Sequence, residues 1–242
     1  MYEPRAYRHW IKDKDLISFN IMAEETDLHI RASHNLRRRA YKLVLKYRNI
    51  LKKYIAQHPP FLTSLEPVPV SDDAPRIIKS MSEAAGRAGV GPMASVAGAI
   101  AEFVGSELSA FSPEIIVENG GDIYLKSLRA RIIGIYAGKS SFTGKIGLEI
   151  NGQDTPLGIC TSSGTVGHSL SFGKADAVIV LSKSATLADA AATAIGNLIV
   201  EPDDIPKGIE FAKGIEGLKA VIIIKDDDMG LWGKVKICQT TM

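Results

Sequence analysis

Hydrophobic and polar positions change period several times along this chain, and each change predicts an element. Tyr7 to Ile11, Leu16 to Met22 and Leu28 to Ala32 alternate partially between Lys-Asp-Lys-Asp and Glu-Glu-Thr-Asp turns, which predicts an antiparallel meander. From Asn35 to Gln57 the apolar residues Leu36, Leu43, Tyr47, Ile50, Leu51, Tyr54 and Ile55 recur on a helical period that stops at His58-Pro59-Pro60. Phe61 to Val70 reads as an extended crossover. Asp73-Ala74-Pro75 opens a helix to about Ala88, and Pro92-Met93-Ala94 opens another to about Phe111. Strands are expected at Glu114 to Val117 and Ile123 to Leu125 around a Glu118-to-Asp122 turn. Further strands are expected at Arg131 to Tyr136, Lys145 to Ile150, Leu157 to Thr161 and Ala175 to Leu181. A helix near Ile209 to Lys213, a strand at Ala220 to Ile224, a turn at Asp226 to Gly230 and a strand at Leu231 to Cys238 complete the pattern.

One stretch departs from the usual amphipathic form. Between Ser184 and Val200 the only ionisable side chain is Asp189, and apolar or small residues occupy nearly every face, so the helix predicted there is buried on most sides, with Ser184 as its N-cap. Asp189 and Thr193 lie one turn apart on one face. Both are poorer helix formers than Ala by roughly 0.5 kcal/mol, which marks them as retained for something other than helix formation. The run Met93 to Ala101 is similarly small-sided, and fits either tight helix packing or the approach of a flat ligand.

Composition narrows the class. In 242 residues, 45% hydrophobic and 23% charged with 22 glycines, there is neither a disordered nor a collagen-like signature. No apolar run reaches the roughly 20 residues of a bilayer span. The N-terminus lacks the apolar core of a signal peptide, and the two cysteines, Cys160 and Cys238, have no metal-site spacing, so a cytoplasmic protein with reduced thiols is expected. Residues 1 to 58 hold 13 Lys/Arg against 6 Asp/Glu, a net +7, which leaves −5 of the overall +2 for the remainder. A patch through Arg37-Arg38-Arg39, Lys42, Lys46, Arg48, Lys52 and Lys53 could attract phosphates, but a solvated helix face explains it more simply. Nucleic acid is not an expected partner.

Candidate chemistry gathers in the second half. The loop Thr161-Ser162-Ser163-Gly164-Thr165-Val166-Gly167-His168-Ser169 can present backbone N–H groups to phosphates, although it is no P-loop. Upstream, Asn119-Gly120-Gly121-Asp122 is a turn with polar flanks. Strand, hydroxyl-glycine loop, buried strand and a helix bearing Asp189 and Thr193 suggest a Mg²⁺-phosphate site, because magnesium takes one or two protein carboxylates and leaves the rest to phosphates and water. The alternative is that Asp189 caps a neighbouring segment and Thr193 bonds back to a carbonyl. His168 is either a general base or a hydrogen-bonded loop histidine. Asp226-Asp227-Asp228 lacks the later Glu of a calcium loop and reads as a solvated turn.

Three of these motifs resemble the ApbE family, flavin transferases that move FMN from FAD to a protein threonine with Mg²⁺. Asn119-Gly120-Gly121-Asp122 is similar to its G-G-D turn, Thr161-Ser162-Ser163-Gly164 with His168 to its T-S-G and H segment, and Ala188-Asp189-Ala190-Ala191-Ala192-Thr193-Ala194 to its A-D-A-x-A-T-A helix. The resemblance implies an α+β fold of mixed or antiparallel sheets packed with helices, in two related halves. Residues 1–242 would form one domain, with the basic meander and long helix of about residues 1–58 integrated into it. It implies Asp189, Thr193 and the Ala97 carbonyl as metal ligands. Asn119, Gly120, Gly121, Thr161, Ser162, Ser163 and Gly164 would bind FAD or another nucleotide, and His168 or Asp122 would handle a proton. The implied partners are a small-molecule nucleotide and a protein acceptor, with no membrane; a homodimer through the helical face would fit. The family's H-I-[IL]-D-P-x-T-G is here His168-Ser169-Leu170-Ser171-Phe172-Gly173, without Asp-Pro. Its K-G-Y-A-x-D falls on Ala94-Ser95-Val96-Ala97, where only Ala97 is kept. Such changes resemble a divergent branch of anaerobic microbes with a suggested role in sulfur assimilation. A non-catalytic protein that kept the fold is therefore the alternative, and Cys160 a weaker candidate for sulfur handling.

Overall fold

The computed structural model describes residues 15–166 and 171–240. Eight antiparallel strands form one sheet in the order β1-β2-β3-β4-β7-β8-β9-β10, from β1 (Ile17–Ala23), β2 (Thr26–Ala32), β3 (Ile115–Asn119), β4 (Asp122–Lys126), β7 (Leu157–Ser162), β8 (Ala177–Ser182), β9 (Leu218–Lys225) and β10 (Asp228–Gly233). A second sheet has the order β11-β6-β5, from β5 (Arg131–Gly134), β6 (Ile146–Ile150) and β11 (Lys236–Gln239). The helices are α1 (Arg37–Gln57), α2 (Pro60–Thr63), α3 (Arg76–Ala88), α4 (Val96–Leu108), α5 (Ala185–Gly196) and α6 (Ile205–Lys213).

The large sheet is built twice from one plan. A hairpin, β1–β2 or β7–β8, leads into helices, α1–α4 or α5–α6, and the chain returns beside it as a second hairpin, β3–β4 or β9–β10. Strand alternation divides the core between the two faces. Val178, Val180, Val221 and Ile223 meet the helices, while Ala177, Ile179, Leu181, Ala220, Ile222 and Ile224 join Leu148 and Ile150 of the small sheet. Covering both faces explains the nearly continuous apolar run of β8. On the first half, Phe19, Ile21, Leu28 and Ile30 pack with Ala40, Val44 and Leu51 of α1.

The expected fold class holds, and several boundaries move. Pro60–Thr63 is a short helix rather than extended chain, because two prolines at its start suit a first helical turn. Glu118, Asn119 and Asp122 are strand residues, and only Gly120 and Gly121 turn the chain, with φ of 70° and 114°. The run Leu231 to Cys238 is two strands in different sheets; Gly233, at φ 93°, bends the chain out of β10. The segment Tyr7 to Ile11 lies outside the described residues. On α1, Arg48 is held by Glu24, Glu25 and Thr26, Lys46 by Glu107, and Arg39 lies 4.0 Å over the Phe111 ring, so much of the basic face is paired. Among the described residues no single helix is long and apolar enough to cross a membrane. The bent pair Arg76–Ala88 and Pro92–Leu108, at 104°, passes on length and composition alone.

Candidate functional site

The centre of the molecule is the crossing of α4 and α5, where two helix N-termini are each capped from the other helix. Eleven residues of α5 are buried, and Ser184 accepts a bond from Leu187 N–H at 3.2 Å as its N-cap. Glu102 of α4 reaches the same end. Its Oε2 accepts from Ser184 Oγ at 2.9 Å and from the Thr186 N–H and hydroxyl, both at 2.8 Å. In return, Asp189 of α5 accepts from Gly98 N–H at 2.8 Å, in the first turn of α4. The helices can come this close because Gly98 has no side chain; a Cβ there would sit 2.4 Å from the Ala185 carbonyl oxygen. Tight packing thus accounts for the small-sided stretch at Met93 to Ala101.

The sheet supplies a second carboxylate. Continuing the β4–β7 register by one residue places Asp122 opposite Cys160, and by two places Gly121 opposite Thr161, whose carbonyl oxygen lies 3.7 Å from the Gly121 Cβ position. The charge of Asp122 reaches Asp189: burial first, and then that neighbouring charge, push the Asp189 carboxyl well above its ordinary range, against the Gly98 and Ala97 N–H groups. The same pair of carboxylates, after burial, raises the Cys160 thiol. Cys160 is fully buried, and its Sγ donates to the Ala185 carbonyl at 3.2 Å. This is a packed thiol, not an activated one.

Ala97 and Asn119 complete the cluster. Asn119 Nδ2 donates to the Ala97 carbonyl at 3.1 Å, tying the β3–β4 hairpin to the start of α4. Thr193 follows Asp189 by one turn on α5 and is half-buried. Its hydroxyl makes no hydrogen bond among the described residues, so the back-bonding alternative for Thr193 is not what the structure adopts. Asp189, in contrast, does cap a neighbouring segment.

The loop is less open to phosphate than its sequence suggests. Thr161 and Ser162 belong to β7, and Ser162 Oγ lies 3.4 Å from the Gly196 Cβ position at the end of α5. Ser163 Oγ accepts from the Thr165 and Val166 N–H groups, and Gly164 N–H donates to Ala175 O at 2.9 Å, so three backbone donors are used within the loop. The Gly164 Cβ position is 2.1 Å from Gly173 O, so the glycine serves packing. His168, the candidate general base, lies outside the described residues.

A divalent ion of the kind the resemblance implies fits this donor set. Carboxylates of Asp189 and Asp122, the Ala97 carbonyl and the Thr193 hydroxyl are all hard oxygen donors, and the two buried carboxylates oppose one another in the absence of a cation. Among the described residues no group of three or more His, Cys, Asp or Glu converges, which argues against a zinc-type cage there. Glu102 was missed from sequence. Its signal was the one that exposed Asp189: a lone acid in the small, apolar run Val96 to Gly105.

Comparison with known proteins gives a consistent picture. The model of the AbpE bacteria family matches residues 8–224. A UPF0280 protein of Methanococcus aeolicus is 45% identical over 216 residues, covering 84% of this chain and 87% of that protein. One of Methanocaldococcus jannaschii is 47% identical over 203 residues, 82% of each. Among solved structures, the apo form of the flavinyl transferase ApbE of Pseudomonas stutzeri aligns with a TM-score of 0.58 at 14% identity, over 93% of this chain and 94% of that one. The ApbE protein of Thermotoga maritima aligns with a TM-score of 0.57 at 14% identity, over 91% and 96%. At that identity the likeness establishes the fold.

Proposed function

The chain belongs to the AbpE bacteria family, and from that premise we propose that it binds a flavin or another nucleotide diphosphate together with Mg²⁺, as an ApbE-like transferase. The observation that carries this reading is the buried pair Asp189 and Asp122 beside the Ala97 carbonyl. A cap needs only one carboxylate; the second adds a repulsion that folding alone does not require. Asp189, Asp122, Thr193 and the Ala97 carbonyl would hold the ion. When bound, it would offset phosphate charge and polarise the diphosphate.

The chain's own residues do the remaining work. Asn119 fixes the Ala97 carbonyl, the Gly98 N–H fixes Asp189, and Glu102 anchors the helix that carries it. Thr161 and Gly121 line the adjoining strand ends where a nucleotide would lie. His168 is the group proposed to take a proton from an acceptor hydroxyl, with Asp122 the alternative if it does not hold the ion.

A second reading has a specific observation behind it. Asp189 is already a helix cap, and the N–H groups of Gly164, Thr165 and Val166 are already bonded, so the site is self-consistent as a structural element. On that reading the protein binds or assembles without transfer chemistry. Incubation with FAD, Mg²⁺ and a threonine-containing acceptor peptide separates the two. Covalent FMN on the peptide, absent with EDTA and with Asp189→Asn, supports the transferase. FAD binding without transfer supports the second reading, and neither binding nor transfer rejects both. Sulfur handling through Cys160 finds no support in its buried, raised thiol.

A further inference from the structure

Among the described residues, the edge strand β1 is open in a way that natural sheet edges usually are not. Among the described residues it pairs only with β2, along all seven residues. Its sequence I-S-F-N-I-M-A contains none of the charges or prolines that deter strand addition, and Ile17 and Met22 are 48% and 67% exposed. Other edges are blunted. β10 begins at Asp228 and holds Gly230 and Gly233, while β5 and β11 are four residues long and β11 starts with Lys236.

Beside β1 lies a cavity of about 320 Å³ lined by Asn20, Ile21, Met22, Arg37, Arg38 and Tyr41. The charge there is unspent. Lys46, Arg48 and Lys52 farther along α1 are held by Glu107, Glu24 and Glu25, whereas Arg37, Arg38 and Lys42 are exposed and make no ion pair among the described residues. We propose that this edge docks an extended acidic segment of a partner protein, which adds as a strand against β1 while its carboxylates meet Arg37 and Arg38. Charge selects this occupant over two others. Residues 1–14 carry Arg5, Arg8, Lys12 and Lys14 against Glu3 and Asp13, a net +2, and so repeat the sign of the cavity. A second copy would bring the same basic face against itself.

The test uses the full chain and a fluorescein-labelled peptide of alternating Glu and Val, seven residues long to match β1, read by fluorescence anisotropy. Saturable binding is expected. Arg37→Glu with Arg38→Glu should weaken it by about tenfold or more, as should added salt. Methylating alternate peptide amides should abolish it, because strand addition needs those N–H groups. Asp189→Asn should leave it unchanged, which separates this surface from the α4–α5 site. No saturable binding overturns the proposal, as does equal binding of the methylated peptide, which would reveal a charge-only anion site. Concentration-dependent dimers in sedimentation velocity, lost in the double Arg variant, would assign the edge to a second copy and overturn it as well.

Discussion

The two helix N-termini at the centre of this protein receive the same device with different surroundings. At the start of α5, Glu102 collects three donors onto one oxygen and meets no second acid in that bonding pattern. At the start of α4, Asp189 accepts the Gly98 N–H and faces the charge of Asp122. The first is sufficient as structure. The second carries a charge that capping does not call for, and the proposed cation site rests on this surplus. A fourth carboxylate, Asp15, shows what a cation does for such a group. Arg131 donates to both oxygens of Asp15 at 2.8 Å and pulls its carboxyl down to about 2, the reverse of the shift at Asp189.

Substitutions can break this contrast at either end. The largest effect is expected from Gly98→Val, which drives a side chain into the Ala185 carbonyl and Asp189. It should cost about 3 kcal/mol or more in urea unfolding and remove both caps together. Glu102→Ala strands the Thr186 N–H and two hydroxyls, at a cost of roughly 2 kcal/mol, yet the folded protein should keep its Mg²⁺-dependent response to FAD. Asp189→Asn retains an acceptor for Gly98 N–H and removes the opposed charge. In EDTA its stability should stay within about 1 kcal/mol of the parent, or rise, while the Mg²⁺ response disappears.

Titration sharpens the same comparison. The Asp189 carboxyl is raised in the folded state, so its favourable contribution is complete below the unfolded value of 3.8 and is lost as pH rises through the folded value. Metal-free protein should therefore lose stability relative to Asp189→Asn as pH rises. Asp15 is depressed, so its contribution is present above 3.8 and lost as pH falls toward about 2. Asp15→Asn should remove that part of the acid dependence and nothing at neutral pH that involves ligand. This is the smallest of the expected effects, readable in melting temperature against pH.

Much of this arrangement was legible in the sequence because local chemistry set it. Ser184 before an alanine-rich run fixed the start of α5, and the isolation of Asp189 within that run marked it. Paired glycines at 120 and 121 fixed a hairpin, although the extent of its strands depended on pairing with β2 and β7, which spacing does not carry. Reciprocal capping was not legible. It joins residues 82 to 91 positions apart, and neither Glu102 nor Asp189 has a capping position in its own helix. The division of Leu231 to Cys238 between two sheets turned on Gly233, whose close approach to Lys219 O is visible only in three dimensions.

The central claim is that Asp189 serves a cation as well as a helix. Thermal unfolding with FAD, in Mg²⁺ and in EDTA, for the parent and for Asp189→Asn, tests it most directly. The expected result is a rise of several degrees in the parent that requires Mg²⁺ and is missing in the variant, with the variant's metal-free melting curve at or above the parent's. An equal FAD-induced rise in both proteins, or one that EDTA leaves untouched, would contradict it and leave Asp189 as a cap alone.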